Sequence, residues 1–436
     1  MKSKIRTKII ISESKTENNF GIIDKFIEEN GLNNIKLSRP VYTCPDNLSV
    51  EEYFEKLCLE GLKLRYGDNI PENTMERYKK EKSVIFKLGL ADIFLHYKDV
   101  INWAKNNNTK LGIYRGSAIG SLICYILELT NIDPIKYNLI FERFINPKRL
   151  INHPVVEFDV EESKKDELIE YIIDKYGYEN TAFGNELSFP LVNLNNKKEY
   201  LPLKTLIYAT KDPIKHSIPL GKLDRETYIT LESINIFEKS KCLKFAIHPS
   251  DVLEEFKEID IDDILISKNI DFNLILNNFS EPGIKILKQL KPKNIEELTA
   301  IISLDRQGPI ESEMVEKYIK ARNLNKIEYY NDSVEQTLKD TYGEIIYQEQ
   351  IIQILNALGD FDLEEAEIIR RSMAQRKVLT EQEKIFIEKA IDKGLKYVKA
   401  KELWDEMEAC SINCFMKAHA LSSSLLLCSC VKSKLN

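Results

Sequence analysis

A short apolar stretch, a turn of small residues and a helical stretch follow one another between residues 109 and 129. Thr109–Tyr114 (TKLGIY) predicts a strand, Arg115–Ser121 (RGSAIGS) predicts a tight turn, and Leu122–Leu129 predicts a helix. Backbone N–H groups at the start of a helix attract phosphate, and Arg115 could add a bidentate contact. These residues therefore predict a strand–turn–helix unit that could bind phosphate. The turn taken alone fits an ordinary strand-to-helix connection equally well.

An acidic strand, Pro154–Val160 (PVVEFDV), comes next and leads into a helix with Glu/Lys pairs. Alternate residues of a strand share one face, so Glu157 and Asp159 point the same way, and Glu161 or Glu162 could follow. These carboxylates could hold one weakly bound Mg²⁺. Alternatively, they form an acidic strand end that caps the next helix, where glutamate is ordinary. The sequence leaves both interpretations open.

Further segments complete an ordered series of motifs. NIDPIKYNLIFERFINPKR (131–149) lies between YRGS (114–117) and the acidic strand, and the later segments are LDRQGP (304–309), TYGEIIYQEQ (341–350), IIRRSMAQRK (368–377) and CFMKAHA (414–420). They resemble the GRGS, PDxDxDF, TYG-YQEQ, RRxM and NKSHA motifs of the C-family DNA polymerases, the family of the bacterial DNA polymerase III alpha subunit. The resemblance covers most of the chain from about Ser49 onward, and its TYG-YQEQ-RRxM series is highly specific.

The resemblance implies an α+β fold, in which a nucleotidyltransferase-like polymerase palm with a mixed sheet precedes a mainly helical fingers domain. Helices leading into the palm are expected over residues 1–75, including a Ser-capped helix at Ser49–Tyr66, with the palm over 76–260 and part of the fingers over 261–436. The stretch from Glu157 to Ala246 is shorter than in the family, which predicts a deleted thumb. The family's metal-dependent N-terminal domain, duplex-gripping segments, and clamp-binding and loader-binding tails are expected to be absent.

The metal-binding positions of the family are altered here. In the family, two aspartates of the PDxDxDF strand and one of a KFDFLGL-like strand bind two Mg²⁺ ions. Their counterparts are Val155, Glu157 and Ala246, while Asp159 matches a third acidic position that not all members keep. If each lost ligand costs about 3–4 kcal/mol of transition-state stabilisation, the rate falls about 10⁴- to 10⁶-fold. This predicts a catalytically inactive relative, with Glu157 and Asp159 as the remaining catalytic and Mg²⁺-binding candidates. Whether any enzyme activity or cofactor remains stays open.

The resemblance also implies a cleft for the incoming nucleoside triphosphate. The candidates for nucleotide binding are Arg115, Gly116, Ser117, Lys244, Arg306, Arg370, Arg371, Lys417 and His419. Arg370 and Arg371 could instead belong to a solvated helix end. Met416 and Ala418 replace polar residues of the NKSHA motif, so two polar contacts are expected to be lost.

Composition predicts a cytoplasmic protein without a membrane anchor. The net charge is −7, no run of about 18 apolar residues could span a bilayer, and the first residues do not form a signal peptide. An acidic chain argues against broad nonspecific DNA affinity, although a local basic groove can coexist with it. The expected partners are deoxynucleoside triphosphate or DNA, other replication proteins, or a complementing polymerase fragment.

Three functions remain open from the sequence. The first is an inactive relative that keeps nucleotide, DNA or protein binding. The second is an active DNA-directed DNA polymerase or other nucleotidyltransferase with a metal site remodelled around Glu157 and Asp159. The third is a decaying fragment or one part of a split polymerase.

Overall fold

The structure, a computed structural model, describes residues 9–10, 38–112, 115–149, 154–184, 192–194, 197–200, 205–214, 220–222, 228–230, 242–250, 253, 279–324 and 327–435. Within these ranges, helices and strands are mixed up to residue 250, and residues 279–435 form helices with short connections. The predicted α+β class is therefore confirmed. Of the predicted strand 109–114, Leu111 forms a single antiparallel bridge with Val160, while residues 113 and 114 lie outside the described residues.

The helices described before residue 250 are α1 (Val50–Tyr66), α2 (Glu72–Lys87), α3 (Ala91–Asn106), α4 (Leu122–Ile126) and α5 (Lys165–Tyr176). The predicted start of α1 is confirmed, because the side chain of Ser49 accepts a hydrogen bond from the N–H of Glu52 and the Glu52 carboxylate accepts one from the N–H of Ser49. α4 is shorter than the predicted helix, since the chain leaves the helix after Ile126 and Glu128 takes a φ of +57°.

The described strands form two sheets. Their bounds are β1 (Ile9–Ile10), β2 (Glu157–Glu161), β3 (Thr181–Phe183), β4 (Val192–Leu194), β5 (Lys197–Tyr200), β6 (Thr205–Ala209), β7 (Leu220–Lys222), β8 (Tyr228–Thr230) and β9 (Leu243–Ser250). The small sheet is antiparallel with the order β1-β5-β4, and the larger one has the order β2-β9-β6-β3-β8-β7. In the larger sheet β2 and β9 run parallel while β6 is antiparallel to β9, so this sheet is mixed, as predicted.

One face of the larger sheet packs against helices. Phe158 of β2 and Phe245 of β9 contact Tyr97 of α3, with ring centroids 5.8 and 5.6 Å apart from the tyrosine ring. All three residues belong to one hydrophobic core. Because successive strand residues point to opposite faces, Glu157 and Asp159 lie on the other face of the sheet.

Helices after residue 279 build two further cores. Their bounds are α6 (Glu281–Leu290), α7 (Ile295–Leu304), α8 (Gln307–Glu311), α9 (Met314–Arg322), α10 (Asp332–Leu338), α11 (Gln348–Gly359), α12 (Leu363–Ala374), α13 (Thr380–Asp392), α14 (Tyr397–Cys410) and α15 (Lys417–Leu435). The first core joins α6, α7, α9 and α15 to Ile119, Ile132 and Leu139. The second joins α10 to α14 around Phe386 and Trp404. No described helix combines the length and apolar composition of a membrane span.

The expected domain boundary between residues 75 and 76 falls inside α2 and stays a prediction. Tyr78 and Ile85 of α2 lie in the same hydrophobic core as Phe54 of α1 and Phe158 of β2. A continuous helix and a shared hydrophobic core cross this point. The expected boundary between residues 260 and 261 lies outside the described residues and stays a prediction.

His96 of α3 is a buried histidine with two polar neighbours. Its Nε2 lies 3.1 Å from the carbonyl oxygen of Pro40, and its Nδ1 lies 2.9 Å from the hydroxyl of Tyr176. Burial is the main cause that lowers the pKa of His96, and it outweighs the opposing effect of the Pro40 hydrogen bond. The charged groups that face the ring are Asp92, Asp99 and Lys175.

We expect the free energy of unfolding to fall as the pH drops below about 6.5, because the unfolded chain then binds a proton that the folded chain excludes from His96. The contribution of neutral His96 to the free energy of unfolding is fully present above about pH 6.5 and is lost as the pH falls through the lowered pKa of the folded state. Urea unfolding at several values between about pH 5 and pH 7.5 measures the slope. His96→Gln should flatten it, and a variant with the slope of the wild type would contradict the assignment to His96.

Candidate active-site cleft

The polar face of β2 and β9 brings together the positions expected to hold metal. Glu157 lies directly opposite Ala246, and Asp159 lies opposite His248. Residues opposite each other in this ladder share a face, so Ala246 stands beside Glu157, where the family resemblance places another ligand. His248 is not among the residues predicted from the sequence. Its signal is its position two residues after Ala246, which puts it on the same face of β9.

Both carboxylates have hydrogen-bond partners inside the protein. Nε2 of His248 donates to Oε2 of Glu157 at 2.7 Å, and Nη2 of Arg115 donates to Oδ1 of Asp159 at 2.6 Å. The Asp159 side chain is only 5% exposed. Gly112 allows this close packing, since a Cβ at residue 112 would lie 2.8 Å from the Cβ of Asp159. The two predicted metal ligands therefore contact two different basic side chains.

The donor set does not fit a two-Mg²⁺ site. Mg²⁺ requires oxygen ligands in a nearly octahedral arrangement, and neither Val155 nor Ala246 supplies one. Glu161, the next carboxylate on this face, accepts a hydrogen bond from the N–H of Lys110 at 2.8 Å. Within the ranges that the structure describes, no group of three or more His, Cys, Asp or Glu side chains is arranged to hold a metal ion. Of the four positions compared with the family's acidic residues, only Glu157 and Asp159 carry carboxylate oxygens.

The turn at residues 115–121 lies against the carboxylate of Glu157. Gly116 has a φ of +85°, which favours glycine, and a Cβ at this position would lie 3.3 Å from Oε1 of Glu157. Ser117 begins a short 3₁₀ turn that ends at Gly120. The structure thus places Arg115 and Gly116 in contact range of the β2 carboxylates, with Ser117 next to them in the chain.

The start of α4 already holds an internal carboxylate. The N–H groups of Leu122 and Ile123 each donate to Glu81 at 3.0 Å, and Glu81 is fully buried. Phosphate could bind there only by displacing this anion. The expectation that this helix start is a phosphate site is therefore wrong, and only the residues of the turn remain candidates.

His419 of α15 reaches the cleft from the helical part of the chain. Burial lowers the pKa of His419, the charge of Arg115 lowers it further, and the carboxylates of Glu157 and Asp159 oppose both effects. The ring of His419 also packs edge-on against Phe415, with centroids 5.4 Å apart. A neutral imidazole therefore lies near the β2 carboxylates at neutral pH.

Three other predicted nucleotide-binding residues have partners within the protein. Nε of Arg306 donates to the carbonyl of Ser303 at 3.0 Å, and its guanidinium lies over the ring of Phe415. Nζ of Lys417 lies 3.4 Å from Oε2 of Glu296. The amino group of Lys244 lies over an aromatic ring, 5.8 Å from the centroid of Tyr208. These contacts hold the elements around the cleft in place.

Arg370 and Arg371 are adjacent in sequence but lie in different environments. Arg370 is buried and donates through Nε to Oε2 of Glu367 at 2.9 Å, whereas Arg371 is exposed. Glu367 is fully buried, accepts from Nη1 of Arg143 at 2.6 Å and lies 3.6 Å from Nη1 of Arg149. We refer to these four arginines as the arginine cluster. Glu367 is missing from the sequence-based candidates, although its spacing of three from Arg370 on a helix predicts contact.

Positive charge exceeds negative charge in the arginine cluster, since Arg143, Arg149 and Arg370 lie within 4 Å of the one carboxylate of Glu367 and Arg371 adds a fourth positive charge that acts on Arg149. Burial lowers the pKa of Arg149, and the charges of Arg371, Arg143 and Arg370 lower it further, against the attraction of Glu367. Guanidinium groups bind phosphate oxygens through charge-assisted hydrogen bonds. The cluster therefore favours an additional anion.

Two models of known protein domains match the chain. Residues 52–185 match the bacterial DNA polymerase III alpha NTPase domain, and residues 256–394 match the bacterial DNA polymerase III alpha subunit finger domain. Together the two ranges cover more than half of the 436 residues. The first contains the β2 carboxylates and the turn at Arg115, and the second contains the arginines of α12.

Three curated proteins, each named DNA polymerase III subunit alpha, are similar to the chain. The Aquifex aeolicus protein is 25% identical over 502 residues, covering 88% of this chain and 42% of its own length. The Borreliella burgdorferi protein is 28% identical over 472 residues, covering 89% of this chain and 41% of its own length. The Staphylococcus aureus protein is 31% identical over 474 residues, covering 88% of this chain and 44% of its own length.

The chain spans less than half the length of these relatives. Each alignment is longer than the 436-residue chain yet uses less than nine-tenths of it, so the relatives contain internal stretches without a counterpart here. The order of the motifs, the mixed sheet followed by helices and the two domain matches agree with one another. The chain belongs to the bacterial DNA polymerase III alpha family.

Proposed function

We propose that this chain binds a deoxynucleoside triphosphate in its altered cleft and does not carry out metal-dependent DNA synthesis. The observation that carries the proposal is the position of Ala246, directly opposite Glu157 on the polar face of the sheet. With valine at residue 155 as well, two oxygen ligands are missing from the place where the family holds its metal ions. Loss of these metal ligands would prevent metal-dependent nucleotidyl transfer, whereas the arginines that could bind a triphosphate remain.

The basic groups of the cleft and of the arginine cluster have hydrogen-bond donors that are not used within the described part of the protein, which supports retained anion binding. The Nε atoms of Arg115 and Arg143 are buried and have no hydrogen-bond partner among the described residues. Arg371 is exposed beside the other members of the arginine cluster. Triphosphate oxygens would accept hydrogen bonds from the exposed Arg371 and the partly exposed Arg115, and would neutralise the excess positive charge.

The nucleotide is a better-supported ligand than primed DNA. The relatives contain internal stretches without a counterpart in this chain, and this difference supports our proposal that the thumb is deleted. In the family, the thumb grips the primer–template duplex. Contacts with DNA, other replication proteins or a complementing fragment rest on family membership alone. The palm over residues 76–260 and the fingers over 261–436 are likewise proposals, as are a cytoplasmic location and any residual use of Mg²⁺ at Glu157 and Asp159.

Calorimetric titration with a deoxynucleoside triphosphate, in the absence of divalent metal, tests the proposal. We expect Arg371→Glu to weaken binding at least about tenfold, because an exposed attractive charge becomes repulsive. Lys384→Glu is the matched control, since Lys384 is 76% exposed on the neighbouring helix α13 and lies outside the arginine cluster. Undetectable binding by the wild type, or equal affinities in all three proteins, would contradict nucleotide binding at this site.

A further inference from the structure

We infer that Arg77 and Glu81 of α2 are positioning residues for triphosphate binding, because together they fix the turn at Arg115 relative to the arginine cluster. The inference rests on the proposed function and goes further, since it names what sets the spacing of two anion-binding elements. Neither residue is among the nucleotide-binding candidates. Each of them acts through backbone groups of the two elements.

The two elements are short 3₁₀ turns that lie against each other. The first, Ser117–Gly120, follows Arg115, and the second, Phe141–Arg143, ends in a member of the arginine cluster. A Cβ at residue 120 would lie 2.7 Å from the carbonyl oxygen of Ile140. Glycine at this position therefore lets the two turns approach closely.

Arg77 joins the two turns through one guanidinium group. Its Nη2 donates to the carbonyl of Gly120 at 2.8 Å and to the carbonyl of Leu139 at 3.2 Å. Its Nε donates to Oε1 of Glu81 at 2.6 Å, which fixes the orientation of the guanidinium plane. The planar group therefore sets the spacing of two carbonyls that are 19 residues apart in the chain.

Glu81 fixes the end of the first turn to α2. The hydroxyl of Ser121 donates to Oε2 of Glu81 at 2.8 Å, and the N–H groups of Leu122 and Ile123 each donate to its carboxylate at 3.0 Å. Glu81 is fully buried, and Arg77 compensates its charge. Hydrogen bonds to a buried carboxylate are stronger than those between neutral groups, so the end of this turn is held firmly.

The basic side chains on this side of α2 act through geometry and not through free charge. Nζ of Lys80 donates to Oε1 of the buried Glu142, which lies in the second turn. Lys80 is thus paired with Glu142, as Arg77 is paired with Glu81. The two pairs have no net charge, so they attract a triphosphate far less than the arginine cluster does.

A fixed spacing favours a ligand that contacts both elements. After a triphosphate has bound to one element, its contact with the other depends on the effective concentration, which is largest when the spacing fits the ligand. Turns that are already fixed also avoid the free-energy cost of being ordered on binding. A nucleoside monophosphate engages one element at a time and gains neither advantage.

Calorimetric titration of Arg77→Lys with a deoxynucleoside triphosphate and with the matching monophosphate, without divalent metal, tests the inference. Lysine keeps the positive charge but loses the planar group that reaches both carbonyls. We expect the triphosphate affinity to fall about fivefold or more and the monophosphate affinity to change less than about twofold, because only the longer ligand uses both elements. A merely structural arginine would leave the ratio of the two affinities unchanged.

Arg65→Lys is the matched control on α1. Arg65 donates through Nε to the carbonyl of Tyr125 at 3.3 Å and through Nη2 to Oδ1 of Asn131 at 3.1 Å, so it also joins a helix to a distant segment. We expect this variant to unfold at a lower temperature than the wild type and to keep the wild-type ratio of affinities. An equal fall of the ratio in Arg65→Lys would overturn the inference, since general loosening would then explain it.

Hydrogen exchange of the wild type provides a second measurement that needs no variant. The N–H of Ser121 donates to the carbonyl of Ala118 and closes the first turn, and the N–H of Phe144 donates to the carbonyl of Phe141 and closes the second. A bound triphosphate should slow the exchange of both N–H groups, whereas a monophosphate should not slow both. Protection of one turn only by the triphosphate would overturn the inference.

These outcomes separate the inference from the function on which it rests. Triphosphate binding by the wild type together with an unchanged ratio of affinities in Arg77→Lys would overturn the inference and leave the proposed function standing. Undetectable triphosphate binding by the wild type would contradict both.

Discussion

Primer extension by this chain is expected to be at least about 10⁴-fold slower than by a family polymerase with intact aspartates, in either Mg²⁺ or Mn²⁺. Val155 and Ala246 supply no metal ligand, and each loss costs about 3–4 kcal/mol of transition-state stabilisation. The contacts of Glu157 with His248 and of Asp159 with Arg115 add the cost of displacing them. Single-nucleotide incorporation on a primed DNA template, followed on a gel, measures the rate.

The control for this measurement is the double variant Glu157→Gln, Asp159→Asn. Both proteins should give the same trace of incorporation, which would then arise from contamination or background. Incorporation by the wild type that disappears in the double variant would establish a remodelled metal site. That result would revive the interpretation of an active nucleotidyltransferase and contradict the function proposed above.

Glu367→Gln is expected to lower the free energy of unfolding by about 3–5 kcal/mol. The substitution keeps the size of the side chain but removes the negative charge that Arg143 and Arg370 contact at 2.6 and 2.9 Å. Buried guanidinium groups then repel one another with no carboxylate between them. Urea unfolding monitored by circular dichroism measures the loss.

A second measurement connects this variant to ligand binding. Triphosphate should recover part of the lost stability of Glu367→Gln, because its oxygens replace the missing carboxylate as acceptors for the arginine cluster. Glu388→Gln on α13 is the control, since Glu388 is 63% exposed and its loss should change the free energy of unfolding by less than about 0.5 kcal/mol. Similar losses in the two variants would show that Glu367 has no special role.

The fold was predictable because its signals are local or lie in the order of the motifs. The Ser49 cap, the alternation in β2 and the segments that match the polymerase family each occupy a few consecutive residues. The absence of ligands at residues 155 and 246 was visible for the same reason. The structure adds that Ala246 is the direct neighbour of Glu157 across the two strands, which the sequence alone implied only through the resemblance.

The partners of the candidate site could not be predicted in this way, because they are distant in the chain. His248 is 91 residues from Glu157, and Arg143 is 224 residues from Glu367. Glu81, which occupies the start of α4, lies 41 residues before it. No local sequence pattern predicts such contacts. The sequence analysis therefore predicted a phosphate site at the start of α4, where Glu81 binds instead, and did not distinguish the buried Arg370 from the exposed Arg371.

The core that joins Ile119, Ile132 and Leu139 to α6, α7, α9 and α15 also crosses the divide between the sheet and the helical part. Arg143 and Glu367 join the same two parts through an ion pair. We therefore expect each part to be less stable alone, since separation would expose apolar side chains and leave a carboxylate without its full set of partners. For the same reason, we expect any closure around a ligand to proceed by small sliding movements within a core that stays packed, and not by free hinge rotation.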